Sequence, residues 1–218
     1  LPDLEPLIHQ AVLNPHSDKQ SLKEACDVAC HFNFSGLCTS LISLPIARER
    51  LGANKQTKLI ATIGFPFGDI PSHLKQLQAE WAAEQGADEL DVVPNFLELH
   101  EGNADTFADE LSRICELGLP TRAIIDAKKL NESDLKRIIE ASIDAGVQGI
   151  QTSNGFGPKI SCEEIQNLIQ LIKGRCSIKA AGGIKSLIET LNLIESGCTF
   201  IGTSRGPELI KDFRRQHQ

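Results

Sequence analysis

The sequence contains no methionine, no tyrosine and a single tryptophan. None of its seven cysteines forms a C-x-x-C pair, so the usual zinc and dithiol redox motifs are absent. The cysteine count is odd and most lie in apolar surroundings. Reduced core thiols in a cytoplasmic protein are therefore expected. Cys26 and Cys30 share a helix face, but no further His or Cys cluster completes a coordination set. No metal and no other cofactor is expected. Neither G-x-G-x-x-G nor G-x-x-x-x-G-K-[ST] occurs, which weakens dinucleotide and P-loop readings. No apolar run approaches the roughly 18 residues of a membrane span, and the first residues carry no basic-then-apolar signal pattern. A net charge of −7 with no basic run disfavours nucleic acid as a partner. The 218 residues hold no linker or low-complexity stretch, so one domain over 1–218 is expected, large enough to bury a core without disulfides.

What the chain does have is alternation. Short apolar segments at 36–40, 58–64, 89–93, 122–126, 148–153, 176–180 and 199–203 read as strands, and 6–13 can supply an eighth. Amphipathic runs at 21–33, 41–51, 72–85, 106–117, 132–145, 162–172, 186–196 and 207–215 read as helices. Ser72, Asn131 with Ser133, and Ser161 before "CEEI" are helix-start signals, and Pro207 suits a first turn. Repeated strand–helix pairs imply a parallel sheet, either an open doubly wound sheet or a closed (β/α)8 barrel. The count of eight, the regular spacing and the glycine-rich turns after the last two strands favour the TIM barrel.

Residues two apart on a strand share a face. In "ELDVV", Leu90 and Val92 point to the helices, and Glu89, Asp91 and Val93 point inward. By the same parity Gln151, Ser153 and Lys179 point inward, and Asp126 follows Ile124. Asp91, Asp126, Gln151 and Lys179 are thus expected to converge near the C-terminal strand ends, the face where barrels build their sites. The plain structural alternative is an Asp91–Lys179 salt bridge with Gln151 as a hydrogen-bonding filler. A buried lysine is also a candidate Schiff-base nucleophile, whereas neighbouring carboxylates hold it as an ammonium.

Gly182 and Gly183 sit at one strand-to-helix turn, and Gly202, Thr203, Ser204 and Arg205 at the next. Glycines let backbone N–H groups approach an anion, and an arginine can clamp it. The segment 152–157, "TSNGFG", is placed to close a third side. Two ordinary tight turns with a solvated Arg205 are the alternative.

The segments "KLIATIGFPFG", "GADELDVVPN", "DAGVQGIQTSNG", "IKAAGGIKS" and "FIGTSRG", in this order and spacing, resemble the 2-deoxyribose-5-phosphate aldolase family. The resemblance covers nearly the whole chain and implies a class I aldolase barrel. It implies a Schiff-base lysine on strand six within K-T-S-T-G, a second lysine on strand seven within K-x-A-G-G, and an aspartate on strand four within D-V-V. Position by position, the aspartate is Asp91 and the second lysine Lys179, while Gln151 stands at the nucleophile's place, followed by Thr152, Ser153, Asn154 and Gly155. Gly182, Gly183 and 202–204 match the phosphate turns. Other departures are His9-Gln10-Ala11 where the family usually reads D-H-T, Lys128 and Lys129 after strand five, and the missing tyrosine.

An amide nitrogen cannot form an iminium ion, because its lone pair is delocalised. Three readings follow. The first is a non-catalytic descendant that binds a phosphorylated sugar or similar small anion, with a protein partner if it serves as a sensor. The second is an aldolase or lyase with a relocated nucleophile, Lys179 first and Lys128 behind it. The third is another barrel chemistry, such as an isomerase with Asp91 or Asp126 as base and Lys179 as electrophile. The resemblance also implies a homodimer.

Overall fold

A computed structural model describes residues 3–53 and 56–216. Eight parallel strands close into a barrel in sequential order, β1 pairing with β8 as well as β2. The strands are β1 (Ile8–Val12), β2 (Gly36–Thr39), β3 (Lys58–Ile63), β4 (Glu89–Val92), β5 (Thr121–Ile124), β6 (Gly149–Gln151), β7 (Ser177–Ala181) and β8 (Phe200–Thr203). The helices between and after them are α1 (Lys19–His31), α2 (Leu44–Leu51), α3 (Ser72–Glu84), α4 (Phe96–His100), α5 (Ala104–Cys115), α6 (Glu132–Asp144), α7 (Cys162–Ile172), α8 (Leu187–Glu195) and α9 (Gly206–Gln216).

Strand parity explains the core. Leu37, Leu59, Ala61, Leu90, Val92, Ala123, Ile150, Ile178 and Ile201 face outward and are buried in one apolar cluster with the helices. The alternate positions fill the barrel interior and include the charged Asp91, Arg122 and Lys179. Register fixes their neighbours, with Asp91 beside Arg122 on β4–β5 and Gln151 beside Lys179 on β6–β7.

The expected eighth strand is β1, and every other expected strand and helix is present within a few residues. Four local details differ. The 41–51 helix begins as a 3-10 turn, Leu41–Ser43, before Pro45 enters the first turn of α2. The short α4 was not foreseen. Its five residues, capped by the Asn95 side chain on Leu97 N–H, are too few for an amphipathic pattern to emerge. Ser72 is the first residue of α3 rather than its cap, and its hydroxyl donates to Glu110. The fifth strand ends at Ile124, and Asp126 precedes a 3-10 turn, Ala127–Lys129, instead of extending the strand. Ser161 caps α7 as expected, in a reciprocal capping box with Glu164.

One buried ion pair outside the barrel matters for what lies inside it. Lys75 on α3 is fully buried and donates to Glu110 on α5 at 2.8 Å and to Val93 O at 3.1 Å. Glu110 also accepts from Asn95 N–H at 2.9 Å. Together they hold the chain leaving β4. Removing one partner of such a pair strands a buried charge. Lys75→Met should therefore lower unfolding free energy by about 3–5 kcal/mol. Adding Glu110→Leu should recover part of that loss, read by denaturant unfolding of the single and double variants.

Candidate functional site

The interior side chains around Asp91 form a charge-balanced floor. Asp91 is wholly buried. Lys179 Nζ donates to its Oδ2 at 2.6 Å and Arg122 Nε to its Oδ1 at 2.6 Å. Arg122 Nη1 in turn lies 2.7 Å from Glu89 Oε2. Two carboxylates thus face two cations, the arrangement that lets charge survive out of water. Burial alone would favour a neutral Asp91, but the Arg122 and Lys179 charges outweigh it and hold the carboxyl well below the usual range. Burial likewise acts against the Arg122 cation, and Asp91 and Glu89 reverse the effect and raise its pKa. Cys38 on β2 donates its thiol to Asp91 Oδ2 at 3.6 Å, and burial pushes that thiol up to about 12. It remains a thiol, not a nucleophile.

Gln151 and His9 complete the floor. Gln151 Nε2 donates to Ser153 O at 2.8 Å, which fixes the amide's orientation. The His9 ring stacks on Phe200 with centroids 4.3 Å apart. Burial first, then the Lys179 and Arg122 charges, keep its pKa well below the ordinary 6.5, so the ring is neutral.

Above the floor opens a cavity of about 230 Å³. Gln151, Lys179 and His9 reach it from below, and Ser153–Phe156, Gly182–Lys185 and Gly202–Ser204 wall it. Gly182 has φ +104°, and a Cβ there would meet Ser153 Oγ at 2.9 Å, so both backbone and space call for glycine. Gly202 is a second close approach, because a Cβ would lie 2.9 Å from Lys179 Cε. The β8 loop is held in shape by Gln10, whose Nε2 donates to Ser204 O at 2.9 Å and whose Oε1 accepts from Gly206 N–H at 3.1 Å. Thr203 Oγ1 donates to Ile184 O and accepts from Arg205 N–H, tying the two glycine turns together. On the opposite rim Asn154 Nδ2 donates to Pro66 O at 2.8 Å, linking the loops after β3 and β6.

Most residues singled out from the sequence meet here: Asp91 and Lys179 in the floor, Gln151, Ser153 and Gly155, and Gly182, Gly183 and 202–204. Four do not. Thr152 points away from the cavity, its hydroxyl bonded to Ala181 N–H and O as a staple between β6 and β7. Asp126 does not converge with Lys179, because the chain has left the strand before it, and it pairs with Lys129 at 3.1 Å. Lys128 turns outward to Lys159 O and Glu164, so it offers no second nucleophile. Arg205 is exposed and does not line the cavity; the basic side chain on that wall is Lys185.

Three participants went unread. Arg122 stands at an inward position of the 122–126 segment, and parity alone could have found it. His9 was visible only as a departure from a motif, and Lys185 carries no signal beyond following the Gly-Gly turn. No group of three or more His, Cys, Asp or Glu among the described residues could hold a metal ion. Nor is any described helix long and apolar enough to cross a membrane.

A neutral buried histidine sets a pH dependence. In the unfolded chain His9 binds a proton below about pH 6.5, whereas in the fold it stays neutral to much lower pH. The unfolded state then holds more protons, so stability falls as pH drops from about 6.5 toward 5. His9→Gln should flatten that part of the stability–pH curve, measured by urea unfolding at stepped pH.

No family model matches the chain. The deoxyribose-phosphate aldolase of Cyanothece sp. (strain PCC 7425) is 33% identical over 211 residues, covering 96% of this chain and 92% of its own. That of Thermococcus gammatolerans is 31% identical over 218 residues, 97% of each. Among solved structures, "QR15, an Aldolase" superposes with a TM-score of 0.94 at 30% identity, covering 100% of this chain and 98% of its own. The deoxyribose phosphate aldolase of Aeropyrum pernix, described as a unique tetrameric structure, gives 0.88 at 26% identity over 98% and 92%. With a closed barrel whose interior holds this charge cluster, and relatives at this identity over nearly its full length, the chain belongs to the deoxyribose-phosphate aldolase family.

Proposed function

We propose that this family member binds a phosphorylated sugar or similar small anion in the cavity, and does so without forming a Schiff base. The observation that carries the reading is Gln151 on β6, beside Lys179 in register and facing the cavity. Its amide cannot condense with a carbonyl. The glycine-rich wall at Gly182–Gly183 and Gly202–Ser204 supports the anion end.

A second reading keeps aldol chemistry and moves the nucleophile to Lys179, favoured by that side chain's place at the cavity floor. Against it, Nζ donates at 2.6 Å to the fully buried Asp91, and an amine must release a proton to attack. Lys128 drops out of this reading because its side chain faces away from the cavity. An isomerase reading has little support, since Asp126 is turned away and the Asp91 carboxyl, held well below the usual range, is a weak base.

Borohydride trapping with 2-deoxyribose 5-phosphate separates the first two readings. The natural chain should gain no mass, and Gln151→Lys should gain one reduced adduct at position 151. An adduct on Lys179 of the natural chain would replace the first reading with the second.

A further inference from the structure

Five buried side-chain polar atoms make no hydrogen bond among the described residues. Glu89 Oε2, Arg122 Nη2 and Ser142 Oγ belong to side chains away from the cavity, and the two whose side chains line it are Gln151 Oε1 and His9 Nδ1. Both side chains line the cavity, and they are only 7% and 2% exposed. Buried polar atoms are almost always satisfied, so such a pair beside a cavity indicates that something entering it supplies the partner. Turning the amide over does not relieve Gln151. Nε2 already donates to Ser153 O, and reversal would set two oxygens face to face. Gln151 therefore offers the cavity an acceptor.

An acceptor needs a donor. A ligand carbonyl has only lone pairs and is repelled there, whereas a hydroxyl brings the missing proton. The neutral His9 ring can serve the same hydroxyl, as acceptor in one tautomer and donor in the other. Lys179 uses one of its three N–H donors on Asp91, so a carbonyl still finds a donor at that side chain, and the preference inferred here is the one that Gln151 sets at its own side of the floor. We infer that the cavity takes a small phosphate ester whose far end carries a hydroxyl, a polyol phosphate or ring-closed sugar phosphate, in preference to one presenting a free carbonyl. An imine-forming site has the opposite requirement, since its carbonyl must be open and turned to an amine. The inference rests on the reading of a phosphorylated ligand bound without an imine, and adds the chemistry of the ligand's other end.

A matched pair tests it. 4-Hydroxypentyl phosphate and 4-oxopentyl phosphate differ only in a hydroxyl or a ketone at one carbon. Both are titrated calorimetrically into the full chain, with 2-deoxyribose 5-phosphate as reference. The hydroxyl ester should bind about tenfold more tightly, the worth of one well-made hydrogen bond. Gln151→Met, which removes the acceptor, should bring the ratio close to one. Gln151→Leu, a second removal of the acceptor with a branched side chain, should do the same, which covers the case in which the methionine variant fails to fold. Equal or reversed affinities for the pentyl esters, with deoxyribose 5-phosphate still bound, would overturn the inference and leave the reading beneath it standing. Failure of all three phosphates to bind, or a trapped imine with the ketone, would overturn that reading and the inference with it.

Discussion

The site is organised by one buried carboxylate. Asp91 accepts from Arg122 on one oxygen and from Lys179 on the other, each at 2.6 Å, with no exposure to solvent. Lys179 would be an uncompensated charge in the barrel interior without it, Arg122 would keep only Glu89, and Asp91 would not stay ionised without them. The three groups come from β4, β5 and β7, so the register of those strands and the protonation of the floor are set together. The arrangement has a chemical cost. A lysine that neutralises an aspartate is well placed as a fixed charge and poorly placed as a nucleophile.

The two ends of the cavity differ in how closely they follow the aldolase pattern. Gly182 and Gly183 follow β7 and Gly202 lies within β8, where the resemblance puts its phosphate turns, and Gly182 stands in a conformation and a space that only glycine suits. At the other end, the pattern that the resemblance implies differs from this sequence at Gln151, at His9 and in the missing tyrosine. Such a division is what a barrel permits. The strands and helices carry the stability, and side chains at the C-terminal ends change with little consequence for the fold.

How far the sequence reads forward depends on which rule governs each residue. Period-two alternation placed Asp91, Gln151 and Lys179 inside, because a strand leaves a side chain only two directions. That rule fails where the strand stops. It carried Asp126 two residues too far, into a turn where the chain has already changed course. Thr152 was misread for a similar reason, as a ligand contact when it staples two strands. Arg122 obeys the rule as well, two residues before Ile124 on the inward face of its segment. Lys75 and Glu110 lay beyond any local rule. They sit on two helices 35 residues apart, and only the folded arrangement brings their charges within 2.8 Å.

Gln10 has a role that its place at the start of the chain conceals. Its amide clasps the loop after β8, accepting from Gly206 and donating to Ser204, across the seam where the first strand meets the last. The contour of this cavity wall is therefore shaped by barrel closure itself. A folding intermediate with seven strands docked and the first still free would have every glycine of the wall and not its contour. Any ligand that requires that contour would recognise the finished ring and draw the first strand into place by mass action.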